Sequence, residues 1–426
     1  MKKFMNRRSS ILLAAVGSIA LISGYAVVPA QAAGPITFWH IQSTGTGPKL
    51  IQDAVDRFQA DNPGVKVEVS PIANDAFKDK IKVAVGADNA PCIFPSWGGG
   101  PLNEYVKAGA VIPLNSYLKK DNYKDRFVPA SWSNVTFGGA TYGIPVENSA
   151  IAVIWYDKKV FAKYKLKTPK TWPELLTIVK TLNANKVAPF TLGGASKWPS
   201  IMWYDYLADR IGGDAFAKAA LRTGGSFSDP AFTQAGKMLQ DMVKAGGFIK
   251  GFNGLVYDNG QSVAPLLGGK AAMYLMGNWL YGDFVGAKRT GDFGFFPFPS
   301  VPGGKGDATN VLGTVGDNYY SISSSCPDKA NAFKVIQYLI DDKSVTARIA
   351  EGRIPPVKGL TLTDPNTIAL NKMIANAKGV QLWWDQYLPP EFGELHKNEV
   401  QKLMGLGTTP EKMAAAQEAL AKKILD

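Results

Sequence analysis

The chain of 426 residues is 46% apolar and 19% charged, carries a formal charge of +12, and contains two cysteines and two histidines. This length exceeds one ordinary core and sets the expectation of two domains, at most three. The lysines are scattered apart from pairs beginning at 119, 158 and 422, which argues against a nucleic-acid stripe, and two histidines leave a metal hydrolase without a ligand set.

Lys2, Lys3, Arg7 and Arg8 precede the apolar run ILLAAVGSIALISGYAVV, and AQA at 30–32 offers the small residues a signal peptidase accepts. The expectation is an export signal over residues 1–32, cleaved after Ala32; the length of the run leaves an uncleaved anchor as the alternative. Losing those four cations takes the formal charge from +12 to +8. No cysteine stands near the cleavage point to carry a lipid, so a free protein of the periplasm or the cell exterior is expected. In an oxidising compartment Cys92 and Cys326 are able to form one bridge, but spacing does not decide it.

Next, PITFW reads as a short strand, and GPKLIQDAVDRFQADNPG as a helix with Leu50, Ile51, Ala54, Val55 and Phe58 on one face, ended by Pro63 and Gly64. VKVEVS alternates as a strand. Strand, helix and strand at this spacing predict a βαβ unit with parallel strands and a right-handed crossover. Ligands gather beyond the carboxyl ends of such strands. Two loops are therefore predicted to face one crevice: HIQSTGTG, with His40 and Gln42, and PSWGGG, with Trp97, which leaves the short strand CIF.

A β-rich run spans 150–156, with Glu147 in the loop before it. TWPELLTIVKTLN opens with Thr171 and Glu174 at capping-box spacing and predicts a helix. Residues 190–247 read as largely helical, with Trp198, Trp203, Tyr204 and Tyr206 crowded near their start. GGKAAMYLMG reads as a helix running into NWLYGDF. DFGFFPFP and NYYSISSS read as strands, DKANAFKVIQYLID as an amphipathic helix, and GTTPEKMAAAQEALAKKIL as a last helix capped by Thr408 or Thr409. Regular alternation with no repeat and no low-complexity linker predicts two α/β domains sharing the chain.

Enzymatic signatures are sparse. GASKW breaks the serine-nucleophile elbow, and neither Lys270 nor Lys305 is followed by the Ser or Thr of a phosphate-binding loop. A secreted glycoside hydrolase needs only two carboxylates about 5–9 Å apart and stands as the alternative function, although Glu147 is the only carboxylate assigned to the crevice.

In order, ITFWH, RFQADNPGVKVEV, APCIFPSWGGGPLNEYVKAGAVIPL, YGIPVENSAIAVIWYDKKVF, KTPKTWPEL, GGKAAMYLMGNW, FFPFPSVPGG and SISSSCPDKANAFKVIQYL run through the chain. With these marks it resembles the extracellular solute-binding proteins of carbohydrate ABC transporters, the family that includes maltose-binding protein. Cys92 departs from the pattern, since the family commonly has Asp there. The resemblance implies an α/β, two-lobed periplasmic-binding-protein fold of type II, with hinged lobes and a ligand cleft between them. Lobe one would take 34–144 plus 310–353, and lobe two 145–309 plus 354–426. It also implies a monomeric, non-catalytic receptor without cofactor that captures an oligosaccharide and delivers it to membrane permease subunits. The stretch GGFIKGFNGLVYDNGQSV through GGKAAMYLMGNW looks most like members that take β-linked disaccharides such as xylobiose.

A sugar presents C–H patches on its faces and hydroxyls around its rim, so a receptor needs flat aromatic rings and fixed polar groups. By family position Trp279 is the expected stacking platform, with Gly277 and Asn278 leaving its ring uncovered. Trp97 is a second platform candidate, with loop packing as the alternative. Trp383 and Trp384 are adjacent and cannot both face the cleft; family position favours Trp384. Trp198 and Trp203 are candidates for the far end of a longer sugar, or else core. The resemblance also implies that Glu147, in PVE, accepts sugar hydroxyl donors, with bonds strengthened by its charge. His40 and Gln42 are expected as neutral partners, and Asp317 as a further acceptor unless Asp-Asn simply makes a turn.

Overall fold

The computed structural model describes residues 34–43 and 45–426. The expected signal peptide and its cleavage point lie outside the described residues.

Two sheets organise the chain. In the first, strand Ile36–His40 pairs in parallel with Val67–Pro71 and with Ile93–Pro95, and Tyr320–Ile322 closes the far edge antiparallel to Ile93–Pro95. The parallel βαβ unit is thus present, with helix Gly47–Asp61 as its crossover, and that helix buries Ile51, Ala54, Val55 and Phe58. These residues join Phe38, Phe77, Phe94 and Tyr320 in one hydrophobic cluster. Cys92, at the head of its strand, is bonded to Cys326, and the two Cα atoms are 4.6 Å apart. The bridge therefore joins two segments of this lobe that are 234 residues apart in sequence.

The second sheet runs Val380–Gln381, Val311–Asp317, Asn148–Asp157, Ala271–Gly277, Ala188–Phe190, with Phe293–Phe296 also pairing to Asn148–Asp157. Helices Trp172–Ala184, Trp198–Gly212, Pro230–Lys244, Pro390–Met404 and Pro410–Ile424 cover it. The capping box of Thr171 and Glu174 is formed, and Thr409 caps the last helix through Lys412 N–H. The helix expected at GGKAAMYLMG is instead the strand Ala271–Gly277, buried at every position. A strand covered on both faces shows no alternation, so its apolar run is indistinguishable from a core helix by periodicity.

Three crossings join the lobes. At the first, Ile144 bridges to Tyr320 in lobe one and Asn148 opens a lobe-two strand, with Glu147 N–H donating to the Asp317 carbonyl between them at 3.4 Å. At the third, Ile354 N–H donates to Asn148 Oδ1 at 2.7 Å, and Ser149 N–H donates to the Ile354 carbonyl at 2.7 Å. The second crossing corrects the boundary expected at 310, because Val311–Asp317 pairs with Asn148–Asp157 inside sheet two. Of this region only NYYSISSS reads as a strand; Gly316 at φ 92 and Asn318 at φ 49 separate the lobe-two strand Val311–Asp317 from the lobe-one strand Tyr320–Ile322.

Candidate ligand-binding cleft

A cavity of about 600 Å³ lies where the crossings meet, lined from both lobes. That volume falls within the usual range for small-molecule sites. Lobe one contributes Gln42, from the loop after Ile36–His40, and Trp97, from the loop after Ile93–Pro95. Trp97, Gly98 and Gly99 have φ of 53°, 75° and 57° in succession. A tryptophan there is strained, and it is held by edge contact with Phe77 at 5.4 Å and by the Lys78 ammonium 5.5 Å from its ring. A Cβ on Gly99 or Gly100 would strike the carbonyl of Gln386 or Leu388, so they admit lobe-two backbone rather than ligand.

Lobe two supplies an aromatic wall. Tyr257 meets Trp198 edge-on at 4.9 Å, Trp198 lies 6.1 Å from Trp279, and Trp279 lies 5.7 Å from Trp383. All four line the cavity. Trp279 stands where the strand Ala271–Gly277 turns into the short helical segment Asn278–Leu280. Its six-membered ring lies against Gly277, where a Cβ would occupy the same space, and the residue is half-buried. Trp198 opens helix Trp198–Gly212 with Pro199 in its first turn, which fixes that ring at the cleft edge.

The crossings supply the charges. Glu147 is buried and accepts from Arg353 Nη1 at 2.7 Å, from Tyr320 Oη at 3.1 Å and from Arg348 Nε and Nη2 at 3.4 Å. Burial alone would raise its pKa, but Arg348 and Arg353 outweigh it and hold the carboxyl below its ordinary value. Arg353 Nη2 also donates to Gln42 Oε1 at 2.9 Å. Burial lifts Asp317 to about 7, only partly offset by the Asn318 N–H bonded to it at 2.9 Å. Across the cleft, Asp258 Oδ2 accepts from Asp75 N–H at 3.0 Å. Asp75 stands in the first turn of helix Asn74–Gly86, whose N-cap, Ala73, makes no side-chain cap bond.

Gln42, Trp97, Glu147, Trp198, Trp279 and Asp317 therefore come together around one cavity. The other four expected residues do not line it. His40 is buried against Phe38, and burial drives its pKa down to about 4 against a smaller opposing pull from Glu147, so it is neutral. Trp203 is fully buried in lobe two among Phe190, Phe248 and Phe298. Asn278 spends its amide on strand Asn148–Asp157, accepting from Ile151 N–H and donating to the Ser149 carbonyl. Trp384 is stacked at 3.9 Å on Phe216 and at 5.0 Å on His396 inside lobe two. Trp383 lines the cavity instead. The pair does face opposite ways; Trp383 is extended and Trp384 begins helix Trp384–Tyr387, a distinction no local spacing carries.

Sequence reasoning missed Lys78, Tyr257, Asp258, Asp283, Arg353 and Asp385, which also line the cavity. A signal existed for three. Tyr257 and Asp258 sit in GLVYDNGQ, and Asp283 follows Trp279 by one helical turn in NWLYGDF. The sequence around Lys78, Arg353 and Asp385 carries no such signal.

Two α/β lobes joined by three crossings, with a cleft lined from both, define a two-lobed solute-binding protein of type II. Residues 42–346 match the family described as bacterial extracellular solute-binding protein, and the chain belongs to that family. It is a family of solute-binding proteins, not of enzymes. A structure from work on xylan utilisation by the thermophilic bacterium Caldanaerobius polysaccharolyticus is similar at 36% identity and a TM-score of 0.85, covering 92% of this chain and 100% of that one. A chitin oligosaccharide binding protein is similar at 27% identity and a TM-score of 0.84, covering 92% and 98%. An uncharacterised ABC transporter extracellular-binding protein of Pyrococcus horikoshii is 27% identical over 269 residues, 60% of this chain and 59% of that protein. The chain thus spans less than two thirds of that relative's length.

Proposed function

We propose that this protein is the substrate-binding component of an ABC importer, capturing an oligosaccharide and delivering it to membrane permease subunits. A β-linked disaccharide such as xylobiose is the ligand we favour. The observation that carries the reading is the wall formed by Tyr257, Trp198, Trp279 and Trp383 along a cavity that both lobes close. Flat rings in series suit the C–H faces of consecutive pyranoses, and the polar groups of the crossings suit their rims. The relatives drawn from xylan utilisation and chitin-oligosaccharide binding support the carbohydrate class. We place the protein outside the cytoplasm as a monomer released by cleavage after Ala32.

Glu147 does not support a hydrolase reading, since it is ion-paired with two arginines that hold its carboxyl below its ordinary pKa. The test is a thermal-shift and calorimetric screen over xylobiose, xylotriose, cellobiose and N,N′-diacetylchitobiose, with chromatography of the recovered sugar. A bound ligand raises the unfolding midpoint and is expected back intact. No shift with any saccharide would overturn the carbohydrate reading, and recovered monosaccharide would revive the hydrolase.

A further inference from the structure

Asp283 carries a consequence for the kind of sugar the cleft accepts, and the inference rests on the oligosaccharide reading above. Helical segment Asn278–Leu280 runs directly into helix Tyr281–Gly286, with Leu280 and Tyr281 both in the right-handed helical region. Trp279 and Asp283 are therefore four residues apart on one continuous turn and share a face. Both line the cavity. Around Asp283 the recess is open: nothing lies within 4 Å of where a Cβ on Gly282 or Gly286 would stand.

The carboxylate is also unspent. Among the described residues it forms no ion pair and accepts no hydrogen bond, unlike Glu147, Asp258 and Asp317 in the same cleft. Burial alone raises its pKa to about 6, with no cation offsetting it. Asp283 is half-buried, and a carboxylate left without a protein partner on the platform's own helical turn is placed to accept from a ligand.

We propose that Asp283 is a specificity-determining acceptor: a neutral pyranose stacked on Trp279 donates a rim hydroxyl to its carboxylate, and a ring bearing its own carboxylate is rejected there. Hydroxyl donors make short, charge-assisted bonds to such a group, whereas a uronate brings a second anion against it.

The test measures xylobiose, cellobiose, N,N′-diacetylchitobiose and digalacturonate against the wild type, Asp283→Asn and Asp283→Ala by calorimetry, with melting curves of each sugar-free protein. The wild type is expected to bind a neutral disaccharide and to leave digalacturonate unbound. Asp283→Asn is expected to weaken the neutral ligand about 10- to 100-fold, the range for a hydrogen bond to a charged group, without lowering the sugar-free melting temperature. A structural role would lower that temperature instead. Equal neutral-sugar affinity in wild type and both variants overturns the proposal, as does digalacturonate binding the wild type as tightly as a neutral disaccharide. The digalacturonate arm decides even if a variant misfolds. If the wild type binds no saccharide at all, the carbohydrate reading itself has failed, and this inference falls with it.

Discussion

At the scale of single residues, neighbouring tryptophans separate affinity from stability. Trp279 is half-buried on the cleft wall, so Trp279→Ala is expected to cost about 1–3 kcal/mol of sugar binding, by analogy with bases stacked on aromatic rings, and little folding stability. Trp384 is packed between Phe216 and His396, so Trp384→Ala is expected to cost about 3–5 kcal/mol of stability through the cavity it leaves. Calorimetry and denaturant melts on the two variants check both; exchanged outcomes would reverse the assignment. Asp317 supplies a pH signature. Its pKa rises from 3.8 to about 7 on folding, so between those values the folded state binds more protons and the carboxyl's contribution to stability falls as pH rises. Asp317→Asn should therefore gain more melting temperature over wild type at pH 8 than at pH 5. An equal difference at both would mean the group does not titrate there. Trp97 was legible in the sequence because it follows a strand, and Trp279 and Glu147 through the family motifs they stand in. The sequence could not reveal that Glu147 is already engaged by arginines more than 200 residues away, because such pairing exists only in three dimensions.

Secondary-structure elements were legible where one face meets solvent. Helix Gly47–Asp61 and helix Trp172–Ala184 announce themselves by periodicity and by caps. Strand Ala271–Gly277 does not, since burial on both faces erases the pattern. The disulfide belongs to this scale, because it ties the start of Ile93–Pro95 to the loop after Tyr320–Ile322. In the chain-entropy account, closing 234 residues is worth about 5 kcal/mol of stability. Reduction or Cys92→Ser should lower the melting temperature while leaving saturable ligand binding in the folded protein. An unchanged melt under reductant would show that the bond contributes nothing.

For the whole molecule, the bond from Asp75 N–H to Asp258 Oδ2 spans the lobes and caps a helix that makes no side-chain cap of its own. Such a contact exists only when the lobes are together, and a ligand touching both shifts the population toward that form. Asp258→Ala is expected to weaken sugar binding by about 0.5–2 kcal/mol, the worth of a cap, with the sugar-free melt unchanged. Small-angle scattering should show a smaller ligand-induced compaction, and full compaction at wild-type affinity would remove the latch. The two-lobed plan was legible from the order of motifs along the chain. The crossing after Asp317 was not, because the few residues between Val311–Asp317 and Tyr320–Ile322 carry no linker composition to mark the change of sheet.

The three crossings also dictate when folding can finish. A nascent chain that has emerged only as far as residue 300 lacks the edge strand Tyr320–Ile322 of one sheet, and lacks Val311–Asp317 and Val380–Gln381 of the other. The first sheet gains its last strand by residue 322, whereas the second waits for Val380–Gln381 and for the helices Pro390–Met404 and Pro410–Ile424 that cover it. The two lobes therefore reach their full set of strands at different points of synthesis, the second one last.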